Sequence, residues 1–167
     1  MKRCAWILLA ILPTGCWACT VDPEKELAAL SQETSRAIIH RLWDSGDCEG
    51  VTLDGLSSGD SSWVALAAAL KPYTDAWPSE SLVASLGFAM LKAPSRVLPL
   101  VDNPAFGSRI CIADFFDDSP EGIEAFWKRL PLFRTTYESF LSTKLQQQAR
   151  KCLGEVERLE KRLGARK

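Results

Sequence analysis

The sequence predicts an all-α fold, a single compact domain of five or six helices, and three observations carry that prediction. Apolar side chains recur at helical spacing: Trp63, Leu66, Ala67 and Leu70 stand at i, i+3, i+4 and i+7, as do Ile123, Phe126, Trp127 and Leu130. Helix-start signatures precede such runs, with Asp22 before Pro23, Ser79 after Pro78, and Asp118-Ser119-Pro120-Glu121. Near the C-terminus Leu145, Ala149, Cys152, Val156, Leu159 and Leu163 alternate four and three residues apart, a heptad-like seam.

The elements follow in chain order. Asp22 is an N-cap with Pro23 at the first helical position, and Glu24 and Glu26 suit the positive end of the helix dipole. This helix is expected to run to about Trp43, with Leu27, Leu30, Ile38 and Leu42 inward and His40 along its length. Residues 44–62, rich in Gly, Ser and Asp, show no sustained period and read as a long loop, a length that is uncommon in a compact domain. The stretch from Trp63 to Asp102 is the centre of the fold: three apolar helical segments separated by breaks at Pro72, Pro78 and Pro94. The second carries Leu82, Val83, Leu86 and Met90, and the third Val97, Leu98 and Val101. Asn103-Pro104 signals a turn, and 106–116 reads as a short extended or irregular apolar run. The helix begun at Pro120 keeps its phase through Phe133, Tyr137, Phe140 and Leu141, so a kink at Pro131 is expected rather than a stop. The last helix is expected from about Ser142, and its seam, under three heptads, is short for a free coiled coil and packs on the core.

The N-terminus points to export. Lys2 and Arg3 precede the apolar run Ala5–Leu12, which is too short to span a bilayer, and Pro13 and small residues follow. Residues 1–18 are read as a signal peptide, with cleavage after Ala18 and the domain spanning 19–167. A second reading competes: Thr14-Gly15-Cys16 matches a lipobox, with Cys16 the lipidation site, but Pro13 stands where Leu is usual. Either way the expected location is the periplasm of a Gram-negative type cell, soluble or lipid-anchored. There Cys19, Cys48, Cys111 and Cys152 are candidates for disulfides, with three possible connectivities. A continuous helix over 23–43 would hold its ends roughly 30 Å apart, whereas bonded Cα atoms sit within about 7 Å. Cys19–Cys48 is therefore disfavoured unless that helix breaks. Cys152, on the inward seam, meets the apolar run around Cys111 in the favoured pairing, which leaves Cys19 and Cys48 unpaired.

Catalytic and metal signatures are weak. Gly55-Leu56-Ser57-Ser58-Gly59 fits the G-x-S-x-G pattern, which needs a strand-to-helix elbow and a later histidine; here the flanks read as loop, and His40 lies upstream. One histidine builds none of the His-rich metal sites, so no metal or cofactor is expected. Asp114-Phe115-Phe116-Asp117-Asp118 is the most distinctive surface candidate, carboxylates beside aromatic anchors that suit a partner protein. Its plainer reading is rings packed in the core and a cap for the following helix. Charge is polarised: 19–125 holds 17 acidic and 7 basic residues, 126–167 holds 4 acidic and 11 basic. Export and the interrupting Glu155, Glu157 and Glu160 argue against nucleic acid, and the acidic body makes a basic protein partner reasonable.

The run Trp63–Asp102, Ile110-Cys111 ahead of Asp118-Ser119-Pro120-Glu121, and Ala149-Arg150-Lys151-Cys152-Leu153 together resemble small uncharacterised helical periplasmic proteins of Gram-negative bacteria. The resemblance covers about two thirds of the chain, implies no activity, and supports the Cys111–Cys152 pairing. The expected function is that of an envelope binding protein (adaptor, inhibitor or immunity-type) acting through a protein–protein interface, rather than an enzyme. The alternatives are a lipid-anchored structural or assembly factor, touching the membrane only through its anchor or peripherally, and a small carboxylate-dependent hydrolase.

Overall fold

The computed structural model describes residues 19–44, 48–113 and 119–164, without the side chains of Gln32 and Glu33. Its described elements are eight α-helices joined by tighter or wider helical turns. These are α1 (Pro23–Ala28), α2 (Gln32–Ile39), α3 (Glu49–Ser58), α4 (Ser61–Leu70), α5 (Ala76–Lys92), α6 (Pro94–Val97), α7 (Pro120–Glu138) and α8 (Gln146–Gly164). A π-helical turn, His40–Asp44, follows α2, and 3-10 turns cover Lys71–Tyr73, Leu98–Asp102 and Gly107–Cys111. The all-α expectation holds with a higher helix count, and three differences have clear local causes.

First, the expected 23–43 helix is broken. Asp22 caps α1 by accepting from the N–H groups of Glu24 and Lys25, and these bonds, the one from Lys25 foremost, hold its carboxyl below the usual range. The chain then restarts: Ser31 and Thr34 form a reciprocal capping box, with the Ser31 N–H donating to Thr34 Oγ1 at 2.6 Å. The Thr34 hydroxyl also donates to the carbonyl of Ala29, tying the end of α1 to the start of α2. The break folds the chain back, and Cys19 and Cys48 come to a Cα separation of 5.1 Å and are bonded. The expectation that this pair stays open is thereby corrected.

Second, residues 44–62 are not a long loop, because α3 occupies 49–58. Thr52 and Leu56, one turn apart, bury against the core, and Gly59 closes the helix in the left-handed region at φ 73°. A Cβ on Gly59 would sit 2.6 Å from the Cβ of Ala93, and one on Gly55 would overlap the Trp63 ring. Both glycines of the G-x-S-x-G pattern thus have packing or capping roles. Ser57 lies inside the last turn of a helix, not on an elbow after a strand.

Third, the 106–116 run, as far as it is described, is a 3-10 turn that buries Ile110 and Cys111. Pro131 sits within α7, as the apolar phase required.

One apolar cluster runs from Ile38 through Leu163. The π-helical turn places the consecutive Leu42 and Trp43 inward, and the buried indole N–H of Trp43 donates to Ser81 Oγ on α5 at 2.7 Å. The principal packing pairs are α3 with α5, α7 with α8, and α1 with α4. Ala149, Cys152, Val156, Leu159 and Leu163 of the expected seam are buried. Cys152 is bonded to Cys111 with a Cα separation of 5.1 Å, as favoured from the seam. Beside that bond the Tyr137 hydroxyl donates to the Cys111 carbonyl at 2.8 Å, and burial pushes its ionisation far above the usual phenol range. Among the described residues no helix is long and apolar enough to cross a membrane.

Candidate partner-binding groove

A groove of about 900 Å3 lies between the start of α5 and the chain segment 104–109, and Ala113 also lines it. Its first wall follows from the sequence Lys71-Pro72-Tyr73-Thr74-Asp75-Ala76-Trp77-Pro78. Pro72 fits the 3-10 turn that ends α4, and the Thr74 hydroxyl donates to the Lys71 carbonyl at 2.9 Å, closing it. Ala76 then opens α5 at φ 39°, a left-handed conformation that a residue with a Cβ adopts only under strain. The next residue, Trp77, is 57% exposed, the largest exposure among the big apolar side chains described. Its indole N–H donates to Glu49 Oε1 of α3 at 3.0 Å, which orients the ring.

Two residues further on, Ser79 accepts a hydrogen bond from the Lys71 ammonium. Lys71 is partly buried, and desolvation pulls its ionisation below the usual lysine range. The opposite wall is a tight turn in which Asn103 Oδ1 accepts from the Ala105 N–H at 2.9 Å and the Asn103 carbonyl accepts from Phe106 and Gly107. Gly107 stands at φ 61°, in the left-handed region, and Phe106 is buried. Ser108 is fastened to Glu155 of α8, while Arg109 is exposed at the rim. Among the described residues neither Lys71 nor Arg109 forms an ion pair, although Glu80 also lines the groove.

An apolar strip leaves the groove along α5. Trp77, Ala84 and Phe88 lie on one face, since seven and eleven residues are close to whole turns, and Phe88 is 41% exposed. The Arg129 guanidinium lies 5.7 Å from the centroid of the Phe88 ring, a cation–π contact from α7. Leu132, three residues beyond Arg129, is 52% exposed.

The candidates named from sequence fare unevenly. Asp114, Phe115, Phe116, Asp117 and Asp118 lie outside the described residues, as does Cys16; Ala113, which lines the groove, directly precedes that acidic-aromatic run in the chain. His40 is exposed, 4.0 Å from Asp44 and one helical turn away from it. Ser79, expected to start a helix after a break at Pro78, lies with Pro78 in the first turn of α5, whose N-cap is Asp75. Lys71, Trp77 and Arg109 were not singled out from sequence. Their only local signal is the pair of prolines flanking an exposed aromatic, because Lys71 and Arg109 meet through folding alone. No protein-family model, curated protein or solved structure matches the chain.

Proposed function

We propose that this chain is an exported binding protein of the cell envelope, an adaptor, inhibitor or immunity-type protein working through a protein–protein interface. The observation that carries the reading is the pair of exposed aromatics Trp77 and Phe88, with half-buried Ala84 between them, on the face of α5 that opens from a groove. Large apolar side chains held in the open lose water when a partner covers them, and aromatic anchors at a pocket edge dominate binding energy in many interfaces. Trp77 is also restrained by Glu49, so less conformational freedom is lost on docking. The two disulfides suit an oxidising compartment, and residues 1–18 read as an export signal, which together support a location in a Gram-negative type periplasm.

The test is a pull-down from envelope extract with the oxidised chain, run beside Trp77→Ala/Phe88→Ala and Asp114→Asn/Asp117→Asn/Asp118→Asn baits. A single stoichiometric partner, retained by the parent chain and lost by the aromatic variant, is the expected result. Identical captures by the parent and both variants would sink the interface reading. Loss only in the acidic variant would move the interface to 114–118.

A further inference from the structure

We infer that the groove takes a carboxylate-bearing, otherwise apolar peptide segment of the partner, with the carboxylate seated on Lys71 and Ser79 and the apolar side chains along Trp77 and Phe88. This rests on the protein-binding reading above and specifies the chemistry of what is bound.

The argument starts from an imbalance of charge. Residues 19–125 carry 17 acidic and 7 basic residues, yet several of those cations, Arg36 and Lys92 among them, form no ion pair among the described residues, so what distinguishes Lys71 is its partial burial in the groove. Lys25 and Arg41 are the cations of this body that are paired, with Asp22 and Glu26, among the described residues. Lys71 and Arg109 are both in the groove and form no ion pair among the described residues. Lys71 has already lost part of its hydration, and what it has in return is a neutral hydroxyl. A partly desolvated ammonium gains more from a carboxylate than a fully hydrated one does, because the cost of stripping its water has been met in folding.

Ser79 strengthens the assignment. Its oxygen accepts from Lys71, so its own O–H proton remains to donate. An incoming carboxylate oxygen thus finds two donors side by side, an ammonium N–H and a hydroxyl O–H, as charge-assisted bonding favours. A basic segment would find the reverse: two uncompensated cations and one exposed carboxylate, Glu80. The apolar part of the segment follows from Val83, Ala84, Pro104 and Phe106, which line the groove alongside the polar Ser81 and Ser108. The overall acidity of the body repels an anionic segment at long range, but screening confines that effect to roughly 8–10 Å at physiological salt.

The experiment selects random 12-residue phage-displayed peptides on the oxidised full chain, with Lys71→Gln/Arg109→Gln and Trp77→Ala chains as parallel baits. The affinities of the enriched peptides are then measured as synthetic fluorescent copies by anisotropy. A consensus with Asp or Glu beside apolar residues, weakened about tenfold or more by Lys71→Gln/Arg109→Gln, is the expected outcome. Circular dichroism and the unfolding midpoint show whether each variant is folded. Should the charge variant fail to fold, a salt titration of the parent complex replaces it, with affinity expected to fall several-fold between about 50 and 500 mM salt. A neutral or basic consensus that depends on Trp77 alone, or a salt-independent affinity, overturns the inference while leaving the binding reading standing. No enrichment on the parent chain beyond that on the Trp77→Ala chain overturns both.

Discussion

The α7–α8 pair and the α1–α3 region solve the same problem by different means. Helices α7 and α8 are 19 residues each, and a continuous stripe of Ala149, Cys152, Val156, Leu159 and Leu163 faces Phe126, Phe133 and Tyr137 across the core. Helices α1, α2 and α3 have 6, 8 and 10 residues, and none of the side chains of α1 is fully buried. Isolated helices shorter than about 12 residues are marginal in water, so the short ones need help from their ends. They get it from caps: Asp22 on α1, the Ser31–Thr34 box on α2 and Gly59 closing α3. The Cys19–Cys48 bond then holds the chain ahead of α1 to the start of α3. The lesson is that one region rests on a long periodic buried stripe with a disulfide inside it, and the other on end caps and a disulfide that ties its ends together.

Removing the disulfides is the strongest way to break the comparison. Cys111 and Cys152 are buried in the shared core, and their bond closes a sequence separation of 41 residues. Cys111→Ala/Cys152→Ala is expected to cost about 2–5 kcal/mol of global stability, measured by urea unfolding. Cys19→Ala/Cys48→Ala should instead open α1 and α2 locally, seen as faster amide exchange there while the amides of α8 stay protected. Equal loss of protection everywhere in both variants would mean that the two regions unfold as one unit.

A smaller effect isolates the capping. Ser31→Ala removes the box between α1 and α2 and is expected to cost about 1 kcal/mol, again by urea unfolding. It should increase exchange of the α2 amides more than those of α7 or α8. A substitution without effect would show that packing, not the cap, breaks the helix at residues 29–31.

The smallest expected effect appears only in acid. The Asp60 carboxylate accepts from the Ser62 N–H at the start of α4, and that bond, foremost, holds its ionisation below the ordinary aspartate value of 3.8. A depressed value in the folded state means that the unfolded chain binds the proton more readily. The stabilisation is therefore complete above 3.8 and lost as pH falls through the lower folded value. Asp60→Asn, which also caps helices well, should match the parent chain at pH 7 and show a flatter loss of stability below 3.8. Thermal unfolding across that range reads it; parallel acid limbs would rule out a contribution from this cap.

The same contrast explains what sequence could reveal. The α8 stripe was legible because a long amphipathic helix repeats its signal several times, and Cys152 inherited its inward direction from that repeat. The start of α7 was legible because Ser119 accepts from the Gly122 N–H, a bond with a fixed local spacing, beside Pro120. Helix α3 was not, because Thr52 and Leu56 are its only buried side chains and its Gly and Ser content resembles a loop. The break before Ser31 was missed since Thr34, rather than the usual Glu or Gln, completes the box. The groove left almost no trace. Lys71 and Ser79 stand eight residues apart in sequence, and Arg109 comes from a different turn beyond α6.

By itself, then, the sequence determined the helical class, the start of α7 and the inward face of α8, and it favoured Cys111 as the partner of Cys152. Each of these follows from periodicity or from bonds between near neighbours in the chain, which composition and spacing record directly. Only the tertiary structure decided the Cys19–Cys48 bond, the helix hidden at 49–58, and the meeting of Lys71, Ser79, Trp77 and Arg109 around one groove. Those depend on where turns send the chain, and a turn of a few residues changes distances of tens of ångströms without altering any local pattern.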